Sequence, residues 1–160
     1  MDKLLHLLST NSSFTTAELA TMLGEPEDYI KAQIKEYESK GIIKGYQAVV
    51  NWENSDETYV EALIELKVTP KKETGFDEMA QRCMAFDEVD SVYLMAGAYD
   101  FALIVKGQTM QDIAMFVAKK LSTIDGVIST GTHFILRRYK DRGMNLFEPD
   151  KQADERSLIL

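Results

Sequence analysis

The sequence is short of the residues that mark several protein classes. It has one cysteine, Cys83, so an internal disulfide cannot form, which fits a protein of the reducing cytoplasm. Three prolines and nine glycines exclude a collagenous or low-complexity chain. Apolar runs are short, such as Phe101–Val105, whereas a membrane helix needs about 20 residues. Because the first residues also lack a cationic segment followed by an apolar one, neither a membrane span nor a secretory signal is expected.

Positive charge is scarce as well. The chain has 18 lysines and arginines against 26 aspartates and glutamates, a net charge of −8. Non-specific DNA binding depends on Lys and Arg side chains that neutralise phosphates. The balance therefore argues against a protein coated in nucleic acid. Residues 1–52 carry five lysines, seven carboxylates and no arginine.

Residues 1–52 nevertheless have the periodicity of three short helices followed by a β-ribbon. Thr15-Thr16-Ala17-Glu18 has the form of a capping box at the start of the second helix. Gly24 and Gly41 are placed to end the second and third helices. Residues 42–50 predict a ribbon that turns near Gly45, which completes a winged helix-turn-helix whose third helix can lie in a major groove. A small helical module used for contacts or dimerisation is the alternative. The apolar faces of the first and third helices are Leu4, Leu5, Leu7 and Leu8, and Ile30, Ile34 and Tyr37.

Residues 53–142 alternate strand and helix patterns in the order β-α-β-β-α-β. Strand patterns cover 59–68, 89–96, 100–106 and 127–138, and helix patterns cover 75–86 and 109–121. This order predicts an α+β fold, a ferredoxin-like antiparallel sandwich with two helices on one face of the sheet. The other face, with Tyr59 and Leu63, is then left open and predicts dimerisation. The tail from Lys140 has no clear periodicity, and its apolar end Ser157–Leu160 is expected to dock on a neighbour.

Several segments resemble one family of DNA-binding proteins. They are Glu18-Leu19-Ala20 with Gly24, residues 37–46 (YESKGIIKGY), Gly97–Phe101, and residues 125–127 with 130–136. In this order and spacing the chain resembles the Lrp/AsnC, or feast/famine, transcription regulators over residues 1–142. The resemblance implies a DNA-binding domain at 1–52, an effector-binding and oligomerisation domain at 53–142 and a tail at 143–160. It also implies a homodimer that assembles further, often to an octamer, and that binds an amino acid or related small metabolite between its second domains.

The recognition helix departs from the family pattern, which is usually rich in arginine. Residues 25–36 begin with three carboxylates, which suit a helix N-terminus but would face phosphates. Arg is the commonest reader of guanine, so Lys and Gln must take its place if this helix binds double-stranded DNA. The alternative is a small-molecule-sensing module that has lost DNA binding and acts through protein partners. The candidate DNA-binding residues are Thr16, Lys31, Gln33, Lys35 and, on a phosphate, Lys44.

The hairpin around Gly97 is the candidate effector site that the resemblance implies. Gly97 serves either a turn that needs positive φ or the close approach of backbone amides to a ligand carboxylate. Asp100 is suited to pair with an α-ammonium group. Thr130 and Thr132 lie two apart on one strand, so their hydroxyls share a face. The full candidate set is Ala96, Gly97, Ala98, Tyr99, Asp100, Thr130 and Thr132.

Residues suited to catalysis or metal binding are few. The two histidines fall in separate patterns: His6 on a helix surface, and His133 on the open side of the sheet. Cys83 lies on an apolar helix face and is expected to be a buried thiol. The sequence therefore predicts no catalytic site, no metal site and no cofactor. An enzyme on the ferredoxin-like scaffold is the least favoured hypothesis, because the sequence offers no acid/base pair.

Overall fold

Three helices form near the N-terminus of this computed structural model, which describes residues 2–70 and 75–147. They are α1 (Lys3–Thr10), α2 (Thr16–Leu23) and α3 (Glu27–Ser39). The predicted capping box at the start of α2 is confirmed, because the Thr15 side chain accepts from the Glu18 amide while Glu18 caps Thr15. Gly24 ends α2 in the left-handed conformation, with φ 69°. The helix boundaries thus follow local capping chemistry.

The helices pack around a small apolar core. Ile30 and Leu19 are fully buried in it, and Ile34 and Tyr37 pack against its edge. Asp2 connects two of the helices. One of its carboxylate oxygens accepts from the Leu5 amide at 3.0 Å and so caps α1, and the other accepts from the Tyr37 hydroxyl of α3 at 2.5 Å.

Asp2→Ala is expected to destabilise this helical unit by about 1 kcal/mol, the usual cost of a lost N-cap. The hydrogen bond from Tyr37 lowers the pKa of Asp2 below its ordinary 3.8 and raises the pKa of Tyr37 to about 12. The stabilisation by Asp2 is therefore complete above its unfolded-state pKa and is lost as the pH falls through its lower folded-state pKa. Urea unfolding at neutral and at acid pH measures it, with Asp56→Ala as control. An equal deficit at both pH values would contradict this account.

The prediction of a β-ribbon over residues 42–50 is wrong. Gly41, with φ 67°, ends α3 as predicted, and residues 43–50 of the described chain form neither strand nor helix. The side chains of Ile42, Tyr46 and Val50 are exposed. With no buried face to define a register, the alternating pattern does not produce a ladder in this chain.

The second unit has the predicted β-α-β-β-α-β order. After a 3-10 turn at Trp52–Asn54 come β1 (Val60–Val68), α4 (Asp77–Met84), β2 (Val89–Leu94), β3 (Phe101–Gly107), α5 (Met110–Phe116) and β4 (Val127–Ile135). A π-helical turn, Val117–Leu121, extends α5. The α+β class and the ferredoxin-like order are confirmed.

The four strands form one antiparallel sheet in the order β2-β3-β1-β4. Alternate residues of β1, among them Ile64 and Leu66, are fully buried and face the helices, as their spacing predicts. Leu103 and Phe101 of β3 continue that layer. The helices contribute the predicted apolar faces, with Met79 and Cys83 from α4 and Ile113, Phe116, Val117 and Leu121 from α5 and its extension.

The opposite sheet face carries a cluster of charged side chains around Glu61. The Glu61 side chain is only 8% exposed. Arg138 donates to one of its oxygens, and the Lys106 ammonium lies 3.8 Å from the other. Lys106 also pairs with Asp90 at 2.7 Å and lies 5.5 Å from the ring centre of Tyr59. Further along this face, half-buried Leu63 lies across from His133.

The chain divides into two compact units, and the division does not follow chain order. One unit is Asn51–Arg138, and the other combines the residues up to Val50 with those from Tyr139 onward. In the latter unit β5 (Lys140–Asp141) and β6 (Met144–Asn145) form a short hairpin. The predicted docking of Ser157–Leu160 lies outside the described residues.

Candidate nucleic-acid interface and effector site

The turn between α2 and α3 brings three polar side chains together. The Thr16 hydroxyl donates to Oε1 of Glu27 at 2.7 Å, and the Lys31 ammonium lies 2.9 Å from the same oxygen. The hydrogen bond from Thr16, followed by the contact with Lys31, lowers the pKa of Glu27. Glu27 in turn raises the pKa of Lys31. Two predicted DNA-binding residues are therefore held by one carboxylate that the predictions omit, although its spacing four residues before Lys31 is typical of a helix ion pair.

The other candidate DNA-binding residues do not join this cluster. Gln33 is half-buried, and its amide donates to Glu36 at 3.4 Å. Lys35 is exposed and, within the described residues, forms no ion pair. The Lys44 ammonium folds back so far over Gly41 that a Cβ there would lie 2.7 Å from it. Lys35 is therefore the main exposed positive charge of the recognition helix that no carboxylate pairs with in the described residues.

The predicted effector loop, 96–100, connects β2 to β3. Its ends are joined by the Met95 amide, which donates to the Asp100 carbonyl at 2.8 Å. Asp100 also extends the pairing of β3 with β1, because its amide donates to the Leu66 carbonyl at 2.9 Å. Its carboxylate accepts from the Val68 amide at 2.8 Å, where the register of β1 against β4 shifts. Asp100 therefore stabilises the end of β1 whatever else it binds.

Gly97 does not have a positive φ, so the turn itself does not explain this glycine. A Cβ at Gly97 would meet no atom of the described chain within 4 Å, so its surroundings are open. Thr130 and Thr132 do share one face of β4, as predicted. They lie opposite Leu66 and Ile64, on the helix-covered side of the sheet. Asp100 and Thr130 thus flank the same end of β1 on neighbouring strands, while residues 96–98 are exposed beyond it.

The residues considered for catalysis lie where the sequence predicts them. Cys83 is fully buried, and burial raises the pKa of its thiol to about 11, which disfavours the reactive thiolate. His6 is exposed on α1. Nε2 of His133 lies 3.2 Å from Glu65 on the open sheet face. Within residues 2–70 and 75–147, no group of three or more His, Cys, Asp or Glu side chains is arranged to hold a metal ion.

A helix-turn-helix followed by an antiparallel α+β unit is the architecture of a DNA-binding regulator with a separate sensing domain. The family model for the Lrp/AsnC ligand binding domain matches residues 61–144. An uncharacterized HTH-type transcriptional regulator of Bacillus subtilis, YugG, is 44% identical over 142 residues, which cover 88% of this chain and 86% of that protein. The HTH-type transcriptional regulator LrpA of Pyrococcus abyssi is 28% identical over 137 residues, covering 86% and 94%.

Solved structures agree in fold. E. coli AsnC superposes with a TM-score of 0.67 at 23% identity, covering 90% of this chain and 97% of that one. A Neisseria meningitidis transcriptional regulator solved as an L-Met complex superposes with a TM-score of 0.69, also at 23% identity, covering 88% and 93%. The chain belongs to the Lrp/AsnC family of transcriptional regulators. Among the described helices, none combines the length and the apolar character that a membrane crossing requires.

Two features of these sites lie outside the sequence predictions. One is Glu27, which holds Thr16 and Lys31. The other is the β5–β6 hairpin, which adds Lys140 and Arg142 to the helical unit. Its sequence signal is weak, because each strand is two residues long and the turn dipeptide is Arg-Gly rather than the usual Asn-Gly.

Proposed function

We propose that this protein regulates transcription in the cytoplasm by binding double-stranded DNA through α2 and α3, and that a bound amino acid or related small metabolite changes that binding. The helix-turn-helix geometry, with Gly24 in the turn and Ile30 of α3 buried in the helical core, carries the first half of the proposal. The family match over residues 61–144 supports the second half. The relative solved with L-Met makes a free amino acid the first effector to test.

The effector is proposed to bind at loop 96–100, between ligand-binding units of an oligomer. Open space above Gly97 leaves room for a ligand carboxylate to reach the loop backbone. The Asp100 carboxylate, beside the end of β1, offers the charge that an α-ammonium group needs. Thr130 lies across β1 from it, and Thr132 follows on the same face of β4. No metal or other cofactor enters the proposal.

Oligomerisation is proposed to involve the open face of the sheet. This face carries partly buried apolar side chains, Leu63, Ile104 and Ile135, with exposed Tyr93 at its edge. A homodimer, or a higher oligomer such as an octamer, would cover them. Effector binding between subunits would then change the spacing of the DNA-reading helices, which is coupling between two sites.

A second candidate function is a sensing module that no longer binds DNA. It is favoured by the acidic start of α3 and by the ion pair that holds Lys31. The two candidates differ in what the removal of Glu27 should do.

Glu27→Gln is expected to strengthen binding to a mixed-sequence duplex about threefold at low salt, because it removes one charge that repels phosphates and releases Lys31. Gel shifts across a salt series measure this, with Glu57→Gln in the other unit as the matched control. If neither the native protein nor E27Q retards DNA at any salt concentration, the sensing module is the correct function. If the native protein binds and E27Q binds no more tightly, Lys31 is not part of the interface.

A further inference from the structure

The hairpin β5–β6 closes through a strained turn. Arg142 and Gly143 form the turn, with φ 44° and 85°, the two positive values of a type I′ hairpin. The Leu146 amide donates to the Tyr139 carbonyl at 2.9 Å, and the rings of Tyr139 and Phe147 lie 5.5 Å apart. The hairpin is thus a defined element, with Arg142 at its tip.

The hairpin lies beside the segment that follows the recognition helix. Arg142 and Met144 line one groove of about 700 Å³ together with the end of α1, the α1–α2 loop and residues 42–49. Residues 42–50 are the ones that the sequence predicts as the wing and that form no strand. A two-stranded element is therefore present next to the expected place of the wing, but it comes from the other end of the chain.

The hairpin changes the charge of an otherwise acidic unit. Of the lysines before residue 50, Lys31 and Lys40 are each held in an ion pair with a glutamate of α3 four residues earlier. Arg142 is the only arginine among the described residues of this unit. Within the described chain, neither Arg142 nor Lys140 forms an ion pair, and both are exposed. Asp141 lies between these two cations in the sequence, so the hairpin carries a net charge of about +1.

The conformation of Arg142 adds a second, independent observation. It is the one described non-glycine residue with positive φ. Asn and Asp are favoured there, because their short side chains tolerate the left-handed region. A long cationic side chain gains nothing locally from this position. Residues held in such conformations cluster at functional sites.

We propose that the β5–β6 hairpin serves as a basic wing, with Arg142 and Lys140 contacting the DNA phosphate backbone beside the recognition helix. The inference rests on the proposed DNA-binding function and extends it to residues outside the helix-turn-helix. The guanidinium fork of Arg142 suits two phosphate oxygens. Such contacts set orientation and affinity and carry no sequence information. They also offset the acidic start of α3.

The test uses Arg142→Asn, because Asn keeps or improves the turn and removes the charge. For a mixed-sequence duplex we expect R142N to weaken binding several-fold at low salt. The slope of log K against log salt should fall by about one for each protomer on the duplex. Arg142→Lys should keep most of the slope. Lys119→Gln, an exposed lysine of the other unit, is the control and should bind as the native protein does.

The outcomes separate this inference from the function on which it rests. If R142N and K140Q each lower the slope of log K against log salt and leave the melting temperature unchanged, the basic wing is supported. If R142N has the same slope as the native protein, the wing is overturned and the helix-turn-helix interface still stands. If the native protein binds no duplex at any salt concentration, both the wing and the proposed DNA binding are wrong. A loss in R142N that R142K shares would assign the effect to the turn and not to charge, and would also overturn the inference.

Discussion

Phe101→Ala is expected to lower the free energy of unfolding of the Asn51–Arg138 unit by about 4 kcal/mol. Phe101 is 1% exposed on β3, and its ring meets Phe76 edge to face with centres 5.8 Å apart. Truncation leaves a cavity between the sheet and the helices, and buried Phe→Ala changes commonly cost about 3–5 kcal/mol. The edge-to-face pair is lost as well.

Urea unfolding followed by circular dichroism measures this difference. Met84→Ala, at a side chain 60% exposed on α4, is the control and should change stability by less than about 0.5 kcal/mol. A cost below about 1 kcal/mol for F101A would mean that the sheet–helix core is not packed as described.

Two substitutions at Asp100 are expected to distinguish its structural role from its role in ligand binding. Asp100→Ala removes the acceptor of the Val68 amide and should cost about 1–3 kcal/mol, the price of an unsatisfied buried donor. Asp100→Asn keeps an acceptor oxygen and should cost less than about 1 kcal/mol. It removes the charge, so affinity for an amino-acid effector should fall about tenfold or more, as for a lost charged hydrogen bond.

Thermal melting with each standard amino acid, followed by titration of the one that stabilises, measures both effects. Asp87→Asn, on an exposed loop of the same unit, serves as the matched control. If D100N keeps the full ligand-induced shift in melting temperature, Asp100 has a structural role only. If the D87N control also loses this shift, the effect of D100N is not local to the site.

Much of the ferredoxin-like unit is predictable because its strands have one buried face. In β1 the apolar residues that face the helices alternate with the rest, so the buried apolar face and the register follow from spacing. The helix ends are predictable for another reason: Thr15, Gly24 and Gly41 act through local hydrogen bonds and backbone conformation, which sequence encodes directly.

The features that sequence does not predict depend on contacts between distant residues. Residues 42–50 alternate, but Ile42, Tyr46 and Val50 are exposed in the described chain and no residue of the segment is fully buried, so the pattern produces no strand. Glu61 has the position of a solvent-facing residue, and it is buried because Arg138, 77 residues away, covers it. The hairpin after Tyr139 is too short for periodicity to detect.

The candidate sites divide in the same way. The sequence places Asp100 at the start of β3, but the bond that it accepts from the Val68 amide depends on strand pairing across the sheet. The sequence also places Lys31 on the recognition helix. Its ion pair with Glu27 follows from the spacing of four residues, but the bond from Thr16 to Glu27 depends on how α2 meets α3. The assignments of Lys35, Gln33 and the two threonines as binding residues remain predictions.

Selection of genomic DNA fragments by the purified full-length protein tests the central claim most directly. The selection is made at low and at physiological salt, with and without a mixture of the standard amino acids. The account predicts enriched fragments that share a roughly palindromic site, weaker retention at higher salt, and a changed set of fragments when amino acids are present. If no fragment is enriched under any of these conditions, the account is contradicted, because the acidic recognition helix then does not bind DNA.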